Sequence, residues 1–316
     1  MSIKEINSTD YKPLTKQQQK LLDVGMEIYG NPLDGVVAFM ARSLVQVTLP
    51  HSDPGNVNAW GRTNGNLSLT VQPTFTIDHE TGETISSGIP YGTIPRLLLF
   101  WITTEAIRTN SRRIELGESL SAFMQELGLT PTGGRWGSIT RLKEQINRLV
   151  KAKISFQSTN EQQNSWLNMD IAPEGELWWD YKSPENPTLF NSWIELGERF
   201  FEAIILAPVP VDMRALQVLK RSPLALDLYT WITLKTYVVT ERNKQQRVSW
   251  KALMLQMGSN YTDSLNFKKK SQMAFRKIQT VYPGMNIEYC KGGLIVKPGQ
   301  TAVPKRKKKI STEGCR

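Results

Sequence analysis

Cysteine and histidine are scarce in this 316-residue chain, with Cys290 and Cys315 as its thiols and His51 and His79 as its imidazoles. Two thiols give no disulfide framework, which points to a reducing compartment. Neither histidine has a Cys or His partner at metal-ligand spacing, so no zinc or other metal site is expected. Long apolar runs are missing too: the best candidate, 201–211, is cut by Glu202, Pro208 and Pro210, short of the ~18 residues a membrane span needs. Residues 1–10 lack the apolar core of a signal peptide, and a cytoplasmic location in a bacterium is the expectation. The Gly-x-x-x-x-Gly-Lys-Ser/Thr phosphate loop is absent, as is the His-hydrophobe-His cluster that a strand-nicking tyrosine would require. Neither ATP-driven chemistry nor nicking is supported, and no enzyme activity or cofactor is expected. Asp78 and Glu80 fit solvated turn carboxylates better than a magnesium site.

Positive charge is abundant, and it is segregated. The formal net charge is +10, yet 156–200 holds eight acids against two bases. Cations gather in three places. Residues 135–153 carry Arg135, Arg141, Lys143, Arg148, Lys151 and Lys153 against Glu144 alone. Residues 266–277 carry Lys268, Lys269, Lys270, Arg276 and Lys277 with no acid, and residues 305–316 form a basic tail. Such clustering suits polyanion binding at defined places.

The stretch 113–155 organises the chain. Leu116, Leu120, Phe123, Met124 and Leu127 recur at helical steps until Gly128, and Pro131, Gly133 and Gly134 then break the pattern. A second pattern sets Ile139, Leu142, Ile146 and Leu149 on one side, with Ser138, Arg141, Gln145 and Arg148 opposite. Guanidinium and amide groups on one helical face can make bidentate contacts to base edges, although a solvated basic face has the same pattern. A strong helix over 95–108 precedes these two, and alternating strands at 153–158 and 165–171 follow them. Helix, short strand, helix, turn, helix and hairpin is the order of a winged helix.

The order then repeats. A helix over 223–237, an extended 247–250, a helix over 251–257 ending at Gly258, an amphipathic helix over 266–282 and a hairpin around 291–293 follow in turn. Lys269, Gln272, Arg276 and Gln279 fall on the outer side of its second helix. The expected fold is therefore α+β: two tandem winged-helix domains forming a pseudo-repeat, with a mixed N-terminal extension and a basic C-terminal tail. The expected boundaries are 1–87 for the extension, 88–206 and 207–298 for the two domains, and 299–316 for the tail. Residues 15–29 read as a helix capped by Thr15, 35–49 stay open between helix and strand, and 207–210 read as a stiff linker. What residues 1–87 do is also open, between docking on the first domain and supporting dimerisation.

Several segments resemble the RepA family of plasmid-encoded replication initiators. They include Tyr91-Gly92, Pro95-Arg96-Leu97-Leu98-Leu99, Thr104-Glu105-Ala106 and Leu116-Gly117-Glu118-Ser119-Leu120. The block Pro131-Thr132-Gly133-Gly134-Arg135-Trp136-Gly137 and Ile139-Thr140-Arg141-Leu142 continue the match. Pro208-Val209-Pro210-Val211-Asp212, Arg214-Ala215-Leu216 and 220–226 extend it into the second half, so that about 88–298 is covered. The resemblance implies a non-enzymatic initiator that binds repeated origin sites (iterons), helps to open an adjacent AT-rich region and recruits host replication proteins such as a helicase and the host initiator. It also implies a monomer–dimer equilibrium in which dimers repress the initiator's own promoter. A dedicated transcriptional repressor is the alternative within DNA binding, and a nicking or priming enzyme is the rival of another class.

The candidate DNA contacts are Gly133, Gly134, Arg135, Ser138, Arg141, Gln145 and Arg148 in the first half. In the second half they are Lys268, Lys269, Lys270, Gln272, Arg276 and Lys277. Gly133 and Gly134 could hold a phosphate at the helix start or simply form a turn. Trp136, at helical spacing from Ile139, is expected in the core. Trp178 and Trp179 are expected in the core or at a partner interface.

Overall fold

Two helices, 94–109 and 223–241, have no continuous polar face, and a helix that is apolar all round has to be buried. Each becomes the centre of one half of the chain. The computed structural model describes residues 13–32, 35–117, 119–160, 162–178 and 192–304. The chain begins with α1 (Lys16–Gly30), β1 (Val37–Ala41), α2 (Arg42–Gln46), β2 (Trp60–Asn64), β3 (Leu67–Gln72), β4 (Phe75–Ile77) and β5 (Thr84–Ser86). The first half follows as α3 (Ile94–Thr109), β6 (Arg113–Glu115), α4 (Leu120–Glu126), α5 (Ser138–Val150), β7 (Lys153–Thr159), β8 (Asn164–Asp170), β9 (Glu174–Glu176), β10 (Trp193–Glu195) and α6 (Glu198–Leu206). Next come β11 (Pro208–Asp212), α7 (Met213–Leu219), α8 (Pro223–Glu241), β12 (Gln246–Ser249), α9 (Trp250–Gln256), α10 (Ser264–Val281), β13 (Ile287–Cys290) and β14 (Gly293–Val296). The architecture is mixed α+β. No described helix is long and apolar enough to cross a membrane.

The element order of α3 to β8 recurs in α8 to β14, but the strand pairing does not. In the second half β12 joins the closing hairpin in a sheet ordered β12-β14-β13. In the first half β6 pairs with β10 instead, and the β7–β8 hairpin is taken up by the N-terminal strands in the sheet β2-β3-β7-β8. Every residue of β3 has a partner on β7, from Leu67 with Ser158 to Gln72 with Lys153. The described residues before 88 are thereby tied into the first half, and α1 packs against α7 and α10 of the second. Thr15 caps α1 through a reciprocal pair with Gln18.

The segment 35–49 resolves into β1 followed by α2. The stretch 207–210 is no free linker, because β11 pairs with β1, Pro210 opposite Phe39 and Pro208 opposite Ala41. Prolines are tolerated there since the pairing needs no N–H from them: Phe39 N turns away from β11 and donates to Thr104 Oγ1 at 3.0 Å.

Residues 48–62 form a strap over the turn between α9 and α10. Thr48 N donates to Gln256 O, His51 N to Gly258 O, and Gly258 N to Thr48 Oγ1. Arg62 donates to Met257 O at 3.0 Å and to Ser259 O at 2.9 Å. A Cβ at position 258 would lie 1.5 Å from Leu49 O, so the approach requires glycine.

Beneath the strap lies a buried charge cluster. Arg96, 3% exposed, donates from Nε and Nη2 to the two Asp227 oxygens at 2.7 Å each. Its remaining N–H groups reach Pro50 O, Gly92 O and Leu49 O at 3.1, 2.6 and 2.6 Å. His51 Nε2 lies 2.8 Å from Asp227 Oδ2. Burial would raise the Asp227 pKa, but the Arg96 charge and the bonds from His51 and Arg96 outweigh it and hold the carboxyl below its usual range. Burial lowers the His51 pKa, with the Asp227 bond only partly opposing it.

Two outcomes are expected. Asp227→Ala, which strands a buried guanidinium, should cost ~3–5 kcal/mol in urea unfolding; an unchanged midpoint would remove the cluster from the stability argument. The folded protein resists protonation of His51, whereas the unfolded imidazole takes a proton near its ordinary pKa of about 6.5. Stability should therefore fall as pH drops from 7 towards 5, and His51→Gln should flatten that slope in the same assay.

Candidate nucleic-acid interface

The pair α4 and α5 is built from local signals. Ser119 accepts from Ala122 N and caps α4, which buries Leu120, Phe123 and Met124. Gly128, at φ 70°, ends it, and Leu129 N closes back on Met124 O. The turn that follows is heavily bonded. Ser138 N donates to Thr132 Oγ1 and Thr132 N to Ser138 Oγ, both at 2.9 Å, while Ser138 Oγ donates to Thr130 O at 2.6 Å. Gly137 N donates to Gly134 O at 3.0 Å, and Thr140 Oγ1 to the same carbonyl at 2.9 Å. A Cβ on residue 137 would meet Thr132 O at 2.2 Å, so only glycine permits this closure.

Arg135 and Arg141 are exposed, and Gly133 and Gly134 lie exposed in the turn. Three expected contacts are turned elsewhere. Ser138 is buried as the clip just described. Gln145 is 4% exposed, its Oε1 accepting from Tyr91 N at 2.8 Å. Arg148 reaches Glu144 Oε1 at 2.5 Å and Ile89 O at 3.2 Å, and its guanidinium lies 5.2 Å from the Tyr91 ring centroid. The reason is the segment 89–91, which lies along the C-terminal half of α5 and takes up the polar groups at 145 and 148. The exposed arc of the helix is instead Thr140, Arg141 and Glu144.

Trp136 is also misplaced by spacing alone: it is 81% exposed, because α5 begins at Ser138 and the ring projects from the turn before it. Arg135 lies over it, 5.2 Å from the ring centroid. Trp178 is 52% exposed and so is not core, while Trp179 lies outside the described residues. On the β7–β8 hairpin Trp166 is 68% exposed, a position that alternation alone does not distinguish from a paired core aromatic.

The pair α9 and α10 presents more cations. Asp263 caps α10 by accepting from Leu265 N and Asn266 N at 2.9 and 3.1 Å, and Phe267, Ser271, Ala274, Phe275, Ile278 and Val281 are buried. Lys269, Lys270, Arg276 and Lys277 are exposed; Lys268 and Gln272 are half-buried at the edge of that face. Lys270 and Lys277 line a cavity of about 260 Å³ together with His51 and Tyr261. Tyr289, on the hairpin that follows, has its pKa raised by burial, and the charge of Arg276 opposes that rise.

A cavity of about 1140 Å³ lies away from both basic helices, between Phe39, Ile107, Leu206 and Tyr237. Among the described residues no three His, Cys, Asp or Glu side chains are grouped to hold a metal.

The sequence profile of the family described as plasmid-encoded RepA protein matches residues 89–252, from just before α3 into α9. No curated protein gives a significant sequence match. Two solved structures of domains 2 and 3 of RctB superpose with a TM-score of 0.45 and 11% identity. They cover 79% and 81% of this chain and 94% and 96% of their own.

The division of roles on α5 is testable by stability alone. Gln145→Ala, which leaves Tyr91 N without its acceptor, should cost ~1–3 kcal/mol. Arg141→Ala, on the exposed arc, should stay within ~0.5 kcal/mol. Equal losses in chemical denaturation would contradict the assignment.

Proposed function

Because the chain belongs to the plasmid-encoded RepA protein family, we propose that it is a non-enzymatic plasmid replication initiator that reads repeated double-stranded origin sites through two winged-helix units. In this reading the first unit is built on α3 to β8 and the second on α8 to β14, with α5 and α10 as recognition helices and the hairpins as wings. One observation carries it: the same slot in both copies of the element order holds an amphipathic helix that exposes an arginine, Arg141 in one and Arg276 in the other. A chance solvated face in both copies is the weaker explanation.

Arg141 is the base reader of the first unit, since a guanidinium can grip guanine O6 and N7 together. Arg135 and the exposed turn at Gly133 and Gly134 serve the backbone. Lys269, Lys270 and Lys277 are phosphate contacts, and Arg276 reads or anchors in the second unit. Ser138, Gln145 and Arg148 hold the helix in place for the others. Binding to repeats, opening of adjacent AT-rich DNA and recruitment of a helicase and the host initiator then follow as the work of the whole protein in the bacterial cytoplasm. A dimer would repress the promoter.

Footprinting on the cognate plasmid tests this directly, with protection expected over discrete repeats. Uniform or absent protection would end the initiator reading, and relaxation of supercoiled plasmid in magnesium would favour an enzyme instead. Arg141→Ala and Arg276→Ala should each weaken specific binding by ~1–3 kcal/mol. Lys269→Ala should weaken all sequences alike and reduce the salt dependence by roughly one unit of slope.

A further inference from the structure

Among the described residues, Trp136 is not buried by the fold. The residue is 81% exposed, while Ser138 and Ile139 just beyond it point inward. Its exposure is not that of a loose loop. The bonds between Thr132 and Ser138, the Gly137 N to Gly134 O closure and the Thr140 tie to Gly134 O fix the backbone on both sides of the ring. A rigid turn that holds a large aromatic in water forgoes the burial such a side chain normally supplies, so a ligand that covers the ring would recover it.

The surroundings define that ligand. Arg135 lies 5.2 Å from the ring centroid, and Arg141 is exposed on the first turn of α5. The nearest acid along the helix, Glu144, is paired with Arg148. An aromatic face among cations complements a polyanion that carries planar π systems, which is a nucleic acid strand. In a duplex those π faces are covered by neighbouring base pairs. Only an unpaired base offers one.

The geometry points to Trp136, flanked by Arg135, as a stacking site for an unpaired base, giving the protein a single-strand contact distinct from duplex reading by Arg141. This deepens the proposed initiator function and rests on it for its biological setting, but the contact itself can be measured separately.

The test uses the full chain and a labelled oligothymidylate, which has no duplex structure, alongside a duplex carrying the cognate repeats. Trp136→Ala should weaken oligothymidylate binding roughly five- to 150-fold, the range for loss of one stacked base. Trp136→Phe should retain most of the affinity, and Arg135→Ala should weaken it too. Melting temperature and duplex affinity of Trp136→Ala should match wild type, within about twofold for the duplex, as for a surface change off the duplex contacts. Equal oligothymidylate affinity for wild type and Trp136→Ala would overturn the inference. So would a change in sedimentation mass with single-strand binding unaltered, since the ring would then belong to a protein interface. Failure of the wild-type duplex arm alone would count against the repeat-binding function and leave the stacking site standing.

Discussion

The five N–H donors of the buried Arg96 guanidinium join three parts of the chain. The residue sits on α3, the central helix of the first half, and its bidentate partner Asp227 sits on α8, the central helix of the second. The other donors hold the carbonyls of Leu49, Pro50 and Gly92. Burying an ion pair is seldom a net gain in free energy, because desolvation offsets the attraction. What a fully satisfied fork does provide is geometry: there is one way for the two central helices to meet. Since α5 packs on α3 and α10 on α8, fixing that meeting also fixes where the two basic helices stand.

The strap extends the same constraint to the surface. Residues 48–51 and Arg62 bond to the turn that launches α10, while β3, a short loop beyond Arg62, is paired along its length with β7 of the first half. The described residues before 88 are thus a brace between the hairpin of one half and the turn between α9 and α10 of the other. Its cost is a departure from repeat symmetry. The first hairpin pairs with β3 through β7, and the short strand before α4, β6, pairs with β10 instead of with the hairpin.

What was legible in the sequence was local. The cap at Thr15, the end of α4 at Gly128, the buried faces of α5 and α10 and the hairpin at 291–293 all follow from neighbours within a few residues. What failed depended on distant chain. Gln145 and Arg148 have the right phase for an outer face, and only the arrival of 89–91, more than fifty residues earlier, turns them into supports. The spacing of Trp136 from Ile139 implied core only if the helix had already begun, and it had not. The prolines of β11 read as a linker because the signal that permits them in a strand, the outward N–H of Phe39, belongs to its partner.

These errors share a direction that bears on how two such faces would divide their work. Once Ser138, Gln145 and Arg148 are withdrawn, the exposed arc of α5 is short and holds one arginine, with the Arg135 and Trp136 pair at its start. The face of α10 keeps its cations in two groups, at 268–270 and 276–277, and lysine predominates. Lysine is a flexible point charge suited to phosphate, whereas an arginine fork carries shape. If the two helices bind one duplex, most of the salt-dependent affinity comes from the second and much of the discrimination from the first. The braced joint at Arg96 is then what makes the combination useful, because a reader with few contacts gains from a neighbour that holds the strand only when the distance between them is fixed.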